Sequence, residues 1–330
     1  MLSRVANNLI WLDRYMERGN GILSLLKVNF YANQDSPELF SWTPIIKNFT
    51  TSENEFYTED AIECIDFMVF NLNNSNSILN IVTKARENAR SVQEHISREL
   101  WLCINNYYLY LTRKDLPKRL REEDPVEFLE DLRKHHLIYN GTFDVTQERG
   151  PSYYFMNVGK FLERVIQISD FTALKLIEIG KTSDSLEQSF YWKNLLLSVG
   201  GYQYYLKTHK STFNEEHIIR MVFQDKLFPR SVYYCVNKLN RQINQLIEAN
   251  ELEKNNLEFL LGKLESDIKY TSIESINAQG LNNFINGIKE DYEDYQKNVK
   301  DYLSSYGLGD GYLSRTFKLN CSEIDIVTNE

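Results

Sequence analysis

Arginine and glutamate recur together in this chain at spacings that place them on shared helical faces. Near the start stand Arg14, Glu17 and Arg18. On a helix Glu17 lies one turn from Arg14, within reach of a charge-assisted hydrogen bond. Arg18 is offset around the helix and open to another helix or a ligand. Lys160, Glu163 and Arg164 repeat the arrangement. Two roles compete for such groups: a buried Glu–Arg lock that fixes helix register, or an anion-binding face.

The second constellation is KARENARSVQEHISRELW, Lys84 to Trp101. Arg86 and Arg90 lie four apart, and Glu94 and Arg98 continue near that line. Two guanidinium groups one turn apart make a fork for carboxylate or phosphate, with Asn88 between them. Glu87 and Glu99 are the candidate general bases, beside Arg86 or Arg90 as stabilisers of developing negative charge. The competing reading is a solvated, salt-bridged helix face. The third constellation is Asp225, Phe228, Pro229, Arg230 and Ser231. Pro229 suits a first helical turn, which sets Arg230 beside a positive helix N-terminus. There a guanidinium needs a compensating anion or carboxylate, and Asp225 is the local candidate.

Other chemistry finds less support. His95 and Glu99 form an i, i+4 pair, yet no second pair completes a di-metal site, so neither metal nor cofactor is expected. His135-His136 reads as solvent-exposed. No Ser-His-Asp or Cys-His arrangement can be assigned. Cys64, Cys103, Cys235 and Cys321 are widely spaced and read as reduced core thiols.

The elements that must position these residues are helices. Glycine (14) and proline (6) are scarce in 330 residues, and strands do not alternate with helices anywhere. A first helix runs from Ser3, as N-cap, to near Asn29, with Val5, Leu9, Leu12, Met16, Leu23 and Leu26 on one stripe. Trp11, Tyr15, Ile22 and Leu25 make it apolar around most of its circumference, so it belongs at the centre. Arg14 and Arg18 lie within that second apolar surface and are candidates for burial. A short helix is expected around Trp42, then helices at 58–70, one long or two nearly continuous helices over 77–111, and a helix over 126–135. Pro117 and Pro125 bracket a charged linker, and Asn140-Gly141 signals a turn. The chain restarts as helix at Gly150-Pro151, followed by helices at 184–207, 214–225, 229–249, 254–270 and 275–305. Residues 306–330 read as an irregular tail, with Gly307, Gly309 and Gly311 and room for one short strand.

The two halves echo one another. Arg14-Tyr15-Met16-Glu17-Arg18 returns as Lys160-Phe161-Leu162-Glu163-Arg164, and Phe40-Ser41-Trp42 with Ile45 and Ile46 as Phe190-Tyr191-Trp192 with Leu195 and Leu196. Ile78, Leu79 and Val82 align with Ile218, Ile219 and Val222, and Arg90-Ser91-Val92 with Arg230-Ser231-Val232. The offset, about 140 to 150 residues, far exceeds the roughly 20–50 of a solenoid unit. The expected fold is all-α: a multi-helix bundle of two diverged helical units, 1–150 and 151–305, fused into one body, with the tail 306–330.

Composition narrows the function. Apolar content of 42% and charged content of 25% describe an ordinary globular chain. The net charge of −9, most of it after residue 250, argues against general nucleic-acid binding. Arg4, Asp13 and Arg14 interrupt any signal peptide, and no run reaches membrane-spanning length, so a cytoplasmic protein is expected.

MLSRVANNLIWLDRYMERGNG at the start, ARENARSVQEHISRELW in the middle and FPRSV later resemble the bacterial alpha-E domain family, over nearly the whole chain. Where that family usually reads ERAEN, this chain has Glu17-Arg18-Gly19-Asn20-Gly21, without the second acidic residue. The resemblance implies a mainly helical protein linked to circularly permuted ATP-grasp proteins and transglutaminase-like peptidases, in the making or processing of a peptide or amide-linked metabolite. The expected function is an accessory binding protein of such an amide-ligase system, holding an anionic peptide, a carboxylate or a partner in an Arg/Glu-lined cleft. The alternatives are an amide-acting enzyme with a glutamate base and a purely structural scaffold of internally paired charges.

Overall fold

A computed structural model describes residues 1–50, 56–180, 182–210, 213–249, 256–291 and 297. Among them every regular element is helical. In chain order these are α1 (Ser3–Asp35), α2 (Thr43–Phe49), α3 (Ala61–Phe70), α4 (Ile78–Ser91), α5 (Arg98–Leu111), α6 (Leu116–Glu122) and α7 (Pro125–Thr146). There follow α8 (Pro151–Ile179), α9 (Ser185–Ser198), α10 (Tyr202–His209), α11 (Glu215–Ile219), α12 (Val232–Glu248), α13 (Asn256–Tyr270) and α14 (Ile273–Gln279). Residues 281–291 are helical too. The tail 306–330, with its expected strand and Cys321, lies outside the described residues.

α1 and α8 are the axis of the structure. Contacts between them climb in step: Gly159 against Ile10, Arg164 against Glu17, Gln167 against Gly21, and Lys175 against Asn29. The two helices therefore run parallel. Their approach is closest at Gly159, where a Cβ would lie 2.1 Å from the Ile10 carbonyl oxygen. Leu2, not Ser3, stands at the N-cap of α1, without a side-chain cap and with no acidic residue in the first turn; Ser3 is already the first helical residue. Burial rather than capping holds it, as expected of a helix apolar on several sides. α4 packs along α1 and α12 along α8, α7 and α9 flank α1, and α5 lies against α4 and α7. One contiguous apolar core runs through all of them.

Several boundaries differ from the sequence reading. The 77–111 stretch breaks after Ser91, because the Ser97 hydroxyl accepts from Leu100 N–H and starts a new helix. α5 then folds back beside α4, with Arg86 donating to Asn105. Pro117 sits in the first turn of α6 rather than in a linker, and Asn140-Gly141 lies inside α7. Residues 184–207 form two helices, parted where Gly200 takes a φ of 69°. α11 gives way to a wide π turn at Arg220–Gln224. α12 starts after Ser231, whose hydroxyl accepts from Tyr234 N–H, so Pro229 stands in the preceding turn.

Candidate functional site

α1 and α8 each carry a Glu-Arg dipeptide at the level where the helices meet, and the four side chains pair crosswise. Arg18 donates Nε to Glu163 Oε1 at 2.6 Å and Nη2 to Oε2 at 2.9 Å. Arg164 returns the same fork to Glu17, Nε to Oε1 and Nη2 to Oε2, both at 2.9 Å. Adjacent residues project about 100° apart on a helix, so each dipeptide straddles the seam between two parallel helices. Each carboxylate then receives one more arginine. Arg14 donates Nε to Glu163 Oε2 at 3.0 Å, and Arg230, from the turn before α12, donates Nη2 to Glu17 Oε1 at 3.1 Å. Two carboxylates thus meet four guanidinium groups.

Glu17 is 3% exposed, Glu163 2%, Arg14 6% and Arg18 9%. Burial alone would push the Glu17 carboxyl up, but Arg164, Arg230 and Lys160 overcome it and hold the group at about 2. For Glu163 burial is likewise opposed by Arg18 and Arg14, and its carboxyl lies below the usual range. Both glutamates are ionised at neutral pH. Removing either would strand buried guanidinium groups.

The neighbours are polar, and Asp13, Asn76, His136, Tyr139 and Gln167 are buried. Asp13 Oδ1 accepts from the Tyr139 hydroxyl at 2.6 Å, and burial raises its carboxyl to about 6, against Lys160 and that hydrogen bond. Lys160 donates to Asn140 Oδ1, and burial followed by repulsion from Arg164 lowers its ammonium. Gln167 Nε2 donates to the Glu17 carbonyl, and Asn76 Oδ1 accepts from Arg18 Nη1 at 3.4 Å. His136 is fully buried against Gly19, with Nε2 3.2 Å from the Tyr107 hydroxyl, and desolvation lowers its imidazole to about 3. It is neutral at neutral pH. The exposed His135-His136 pair of the sequence reading is corrected accordingly: His135 is half-buried, stacked on Tyr107.

The structure brings Arg14, Glu17, Arg18, Glu163, Arg164 and Arg230 together, though not through the expected pairs. Arg14 bonds to Glu163 across the seam instead of to Glu17 one turn away. Arg230 bonds to Glu17, while Asp225 accepts from the Leu227 and Phe228 N–H groups and from the Tyr204 hydroxyl. The Lys84–Trp101 constellation does not converge. Arg86 is half-buried, donating to Asn105 with its guanidinium over the Tyr108 and Trp101 rings. Glu87, Arg90, Arg98 and Glu99 are exposed, and Asn88 is half-buried. The turn at Val92–Ser97 puts Arg98 and Glu99 on a different helix from Arg86 and Arg90, and parts His95 from Glu99.

Arg90 and Arg230 also differ in place. Arg90 ends α4, whereas Arg230 precedes α12. The residue standing like Arg230 is Asn76: it precedes Ser77, which caps α4 as Ser231 caps α12, and both reach the Glu–Arg cluster. Ile78 opens α4, while Ile218 lies in short α11. Sequence reasoning missed Asp13, Asn76, Tyr139 and Gln167. A buried-side position for Asp13, one turn before Glu17, was the one signal for it; Asn76, Tyr139 and Gln167 carry none by spacing.

Two open cavities lie elsewhere among the described residues. One, of about 300 Å³, is lined by Phe56, Ile62, Glu63, Asp66, Phe67, Asn71 and Arg121. The other, of about 290 Å³, opens between the Glu94–Ser97 turn and the α7–α8 junction. Among the described residues no helix is long and apolar enough to cross a membrane. Cys64 and Cys235 are buried and Cys103 half-buried; burial raises the Cys103 thiol to about 11 and the Cys235 thiol to about 12.

No curated protein and no solved structure matches the chain. One family model does, over residues 1–303, and its description, a predicted alpha-helical domain with a conserved ER motif, fits a helical chain whose Glu17-Arg18 and Glu163-Arg164 lock its two central helices together. The chain belongs to the Alpha-E family.

Proposed function

We propose that this is a helical accessory protein of a bacterial, cytoplasmic amide-ligase system of the ATP-grasp type, acting by binding rather than by bond chemistry. The observation that carries the reading is the crosswise pairing of the Glu-Arg dipeptides. The residues best suited to acid–base work are ionised, buried and bonded to one another, which suits a rigid platform. Glu87 and Glu99, the other candidates for a base, stand exposed on separate helices, and among the described residues no arginine pairs with them. Partners suited to this role are a circularly permuted ATP-grasp protein, a transglutaminase-like peptidase, or the acidic peptide or carboxylate on which they act.

The test is calorimetric titration of the purified full chain with its cognate ATP-grasp protein and, separately, with an acidic peptide. Saturable heat with either is expected, unchanged by Glu87→Gln and Glu99→Gln. A folded sample that binds neither overturns the proposal, and so does amide-bond turnover lost in either variant.

A further inference from the structure

Arg14 and Arg18, which share Glu163, each lie over an aromatic ring of α1. Arg14 Cζ stands 4.3 Å from the centre of a Trp11 ring, and Arg18 Cζ 5.7 Å from that of Tyr15. The two rings are themselves 5.2 Å apart. Lys84, on α4, brings its Nζ to 5.8 Å from the same Tyr15 ring. Trp11, Arg14, Tyr15, Arg18 and Lys84 are thus linked by distance into one face. Arg14, Arg18 and Lys84 bring three positive charges to it, and Glu163 one negative. Trp11, Tyr15 and Lys84 are half-buried, so the face reaches the surface. Stacked rings beside cations suit a ligand that is both anionic and apolar.

The chain itself returns to this neighbourhood. Lys289, in the helical stretch 281–291, pairs with Asp170 at 2.6 Å. Asp170 follows Glu163 by seven residues on α8, on the same side of that helix and about 10 Å along it. The continuous described chain ends at Asp291, two residues after Lys289. Leu319 comes 28 residues later, a length that spans about 10 Å many times over. Residues 319–330, LNCSEIDIVTNE, carry Glu323, Asp325 and Glu330 and no lysine or arginine. Ile324, Ile326 and Val327 stand among these carboxylates. The acids match Lys84 and the two arginines in charge, and the aliphatic side chains match the Trp11 and Tyr15 rings.

We propose that residues 319–330 dock on the face formed by Trp11, Arg14, Tyr15, Arg18 and Lys84 of the same chain. Lys84, the most accessible of the three cations, takes a carboxylate of Glu323 or Asp325, while Ile324 and Ile326 cover the rings. The segment then occupies the face that an acidic partner peptide would use. Displacement by such a peptide rests on the binding role proposed above; the docking itself does not, and the two fail separately.

The test uses the full chain at neutral pH and low salt. Zero-length carbodiimide cross-linking, read by mass spectrometry, should join Lys84 to Glu323 or Asp325. Hydrogen exchange should show the 319–330 amides slowed at least about tenfold relative to an unstructured peptide. That protection should fall about threefold in Lys84→Gln and about tenfold in the double variant Glu323→Gln, Asp325→Asn. Raising the salt should weaken it in the parent, and Arg121→Gln, on α6, should leave it unchanged. The double variant lies in the segment itself and decides the matter should Lys84→Gln not fold. Free exchange over 319–330 in the parent overturns the proposal, as does protection unchanged in both sets of variants. Cross-links that form between isotopically labelled and unlabelled chains also overturn it, because a second copy then supplies the segment.

Discussion

Asp13 and Glu17 sit one turn apart on α1, yet burial leaves them with opposite acid–base behaviour. Glu17 has guanidinium groups on it and stays ionised; Asp13 has a neutral tyrosine hydroxyl and keeps its proton up to about 6. The signs follow from linkage. Glu17 contributes stability that is present above its unfolded value of 4.5 and is lost as pH falls toward 2. Asp13 runs the other way. Its unfolded carboxyl ionises near 3.8 and its folded one near 6, so stability falls as pH rises through that window. Asp13→Asn removes the penalty. The variant should therefore gain on the parent between pH 4 and 7, by on the order of 2–3 kcal/mol, read from urea midpoints across that range. A gap that stays constant with pH would show that Asp13 is ionised throughout.

At the scale of the element, the seam between α1 and α8 sets the tolerance of each glycine. A Cβ at Gly159 meets the Ile10 carbonyl oxygen at 2.1 Å, and backbone cannot step aside without parting the helices. A Cβ at Gly21 meets the Gln167 side chain at the same 2.1 Å, but that amide can rotate away, at the loss of its bond to the Glu17 carbonyl. Gly159→Ala is therefore expected to cost about 3 kcal/mol or more, and Gly21→Ala about 1–2, despite the helix propensity both gain. Chemical denaturation of both variants checks the order. Equal costs would mean that the helices can slide apart cheaply.

For the whole molecule, the cluster makes each half complete the other. Arg18 finds its carboxylate 145 residues away, and Arg164 finds Glu17 147 away. A fragment of residues 1–150 would leave Arg14 and Arg18 without Glu163, Glu17 without Arg164, and the α8-facing side of α1 in water. We expect it to be insoluble or to unfold without cooperativity, as followed by circular dichroism on heating. A soluble fragment with a sharp transition would establish two separable units. Coexpression with residues 151–330 should restore a folded complex, because the missing partners are supplied in trans.

Much of the fold was legible in the residues themselves. The scarcity of glycine and proline, the stripe from Val5 to Leu26 and the restart at Pro151 follow from local preference and periodicity, and they place α1 at the centre and α8 after the Gly150 turn. The same periodicity marks Arg14 and Arg18 for burial. It could not reveal the break at Ser97, which depends on one hydroxyl capping a new helix, nor keep Asn140-Gly141 within α7. Pairing lies further beyond its reach. From spacing, Arg14 belongs to Glu17 and Arg230 to Asp225, since local partners are the ones a sequence displays. The structure assigns both arginines to glutamates on other helices. Sequence by itself marked Arg14 and Arg18 as candidates for burial and Arg230 as needing a compensating group; only the packing of the helices decided which partners they took, because an ion pair between helices is set by their register and crossing, which no single helix encodes.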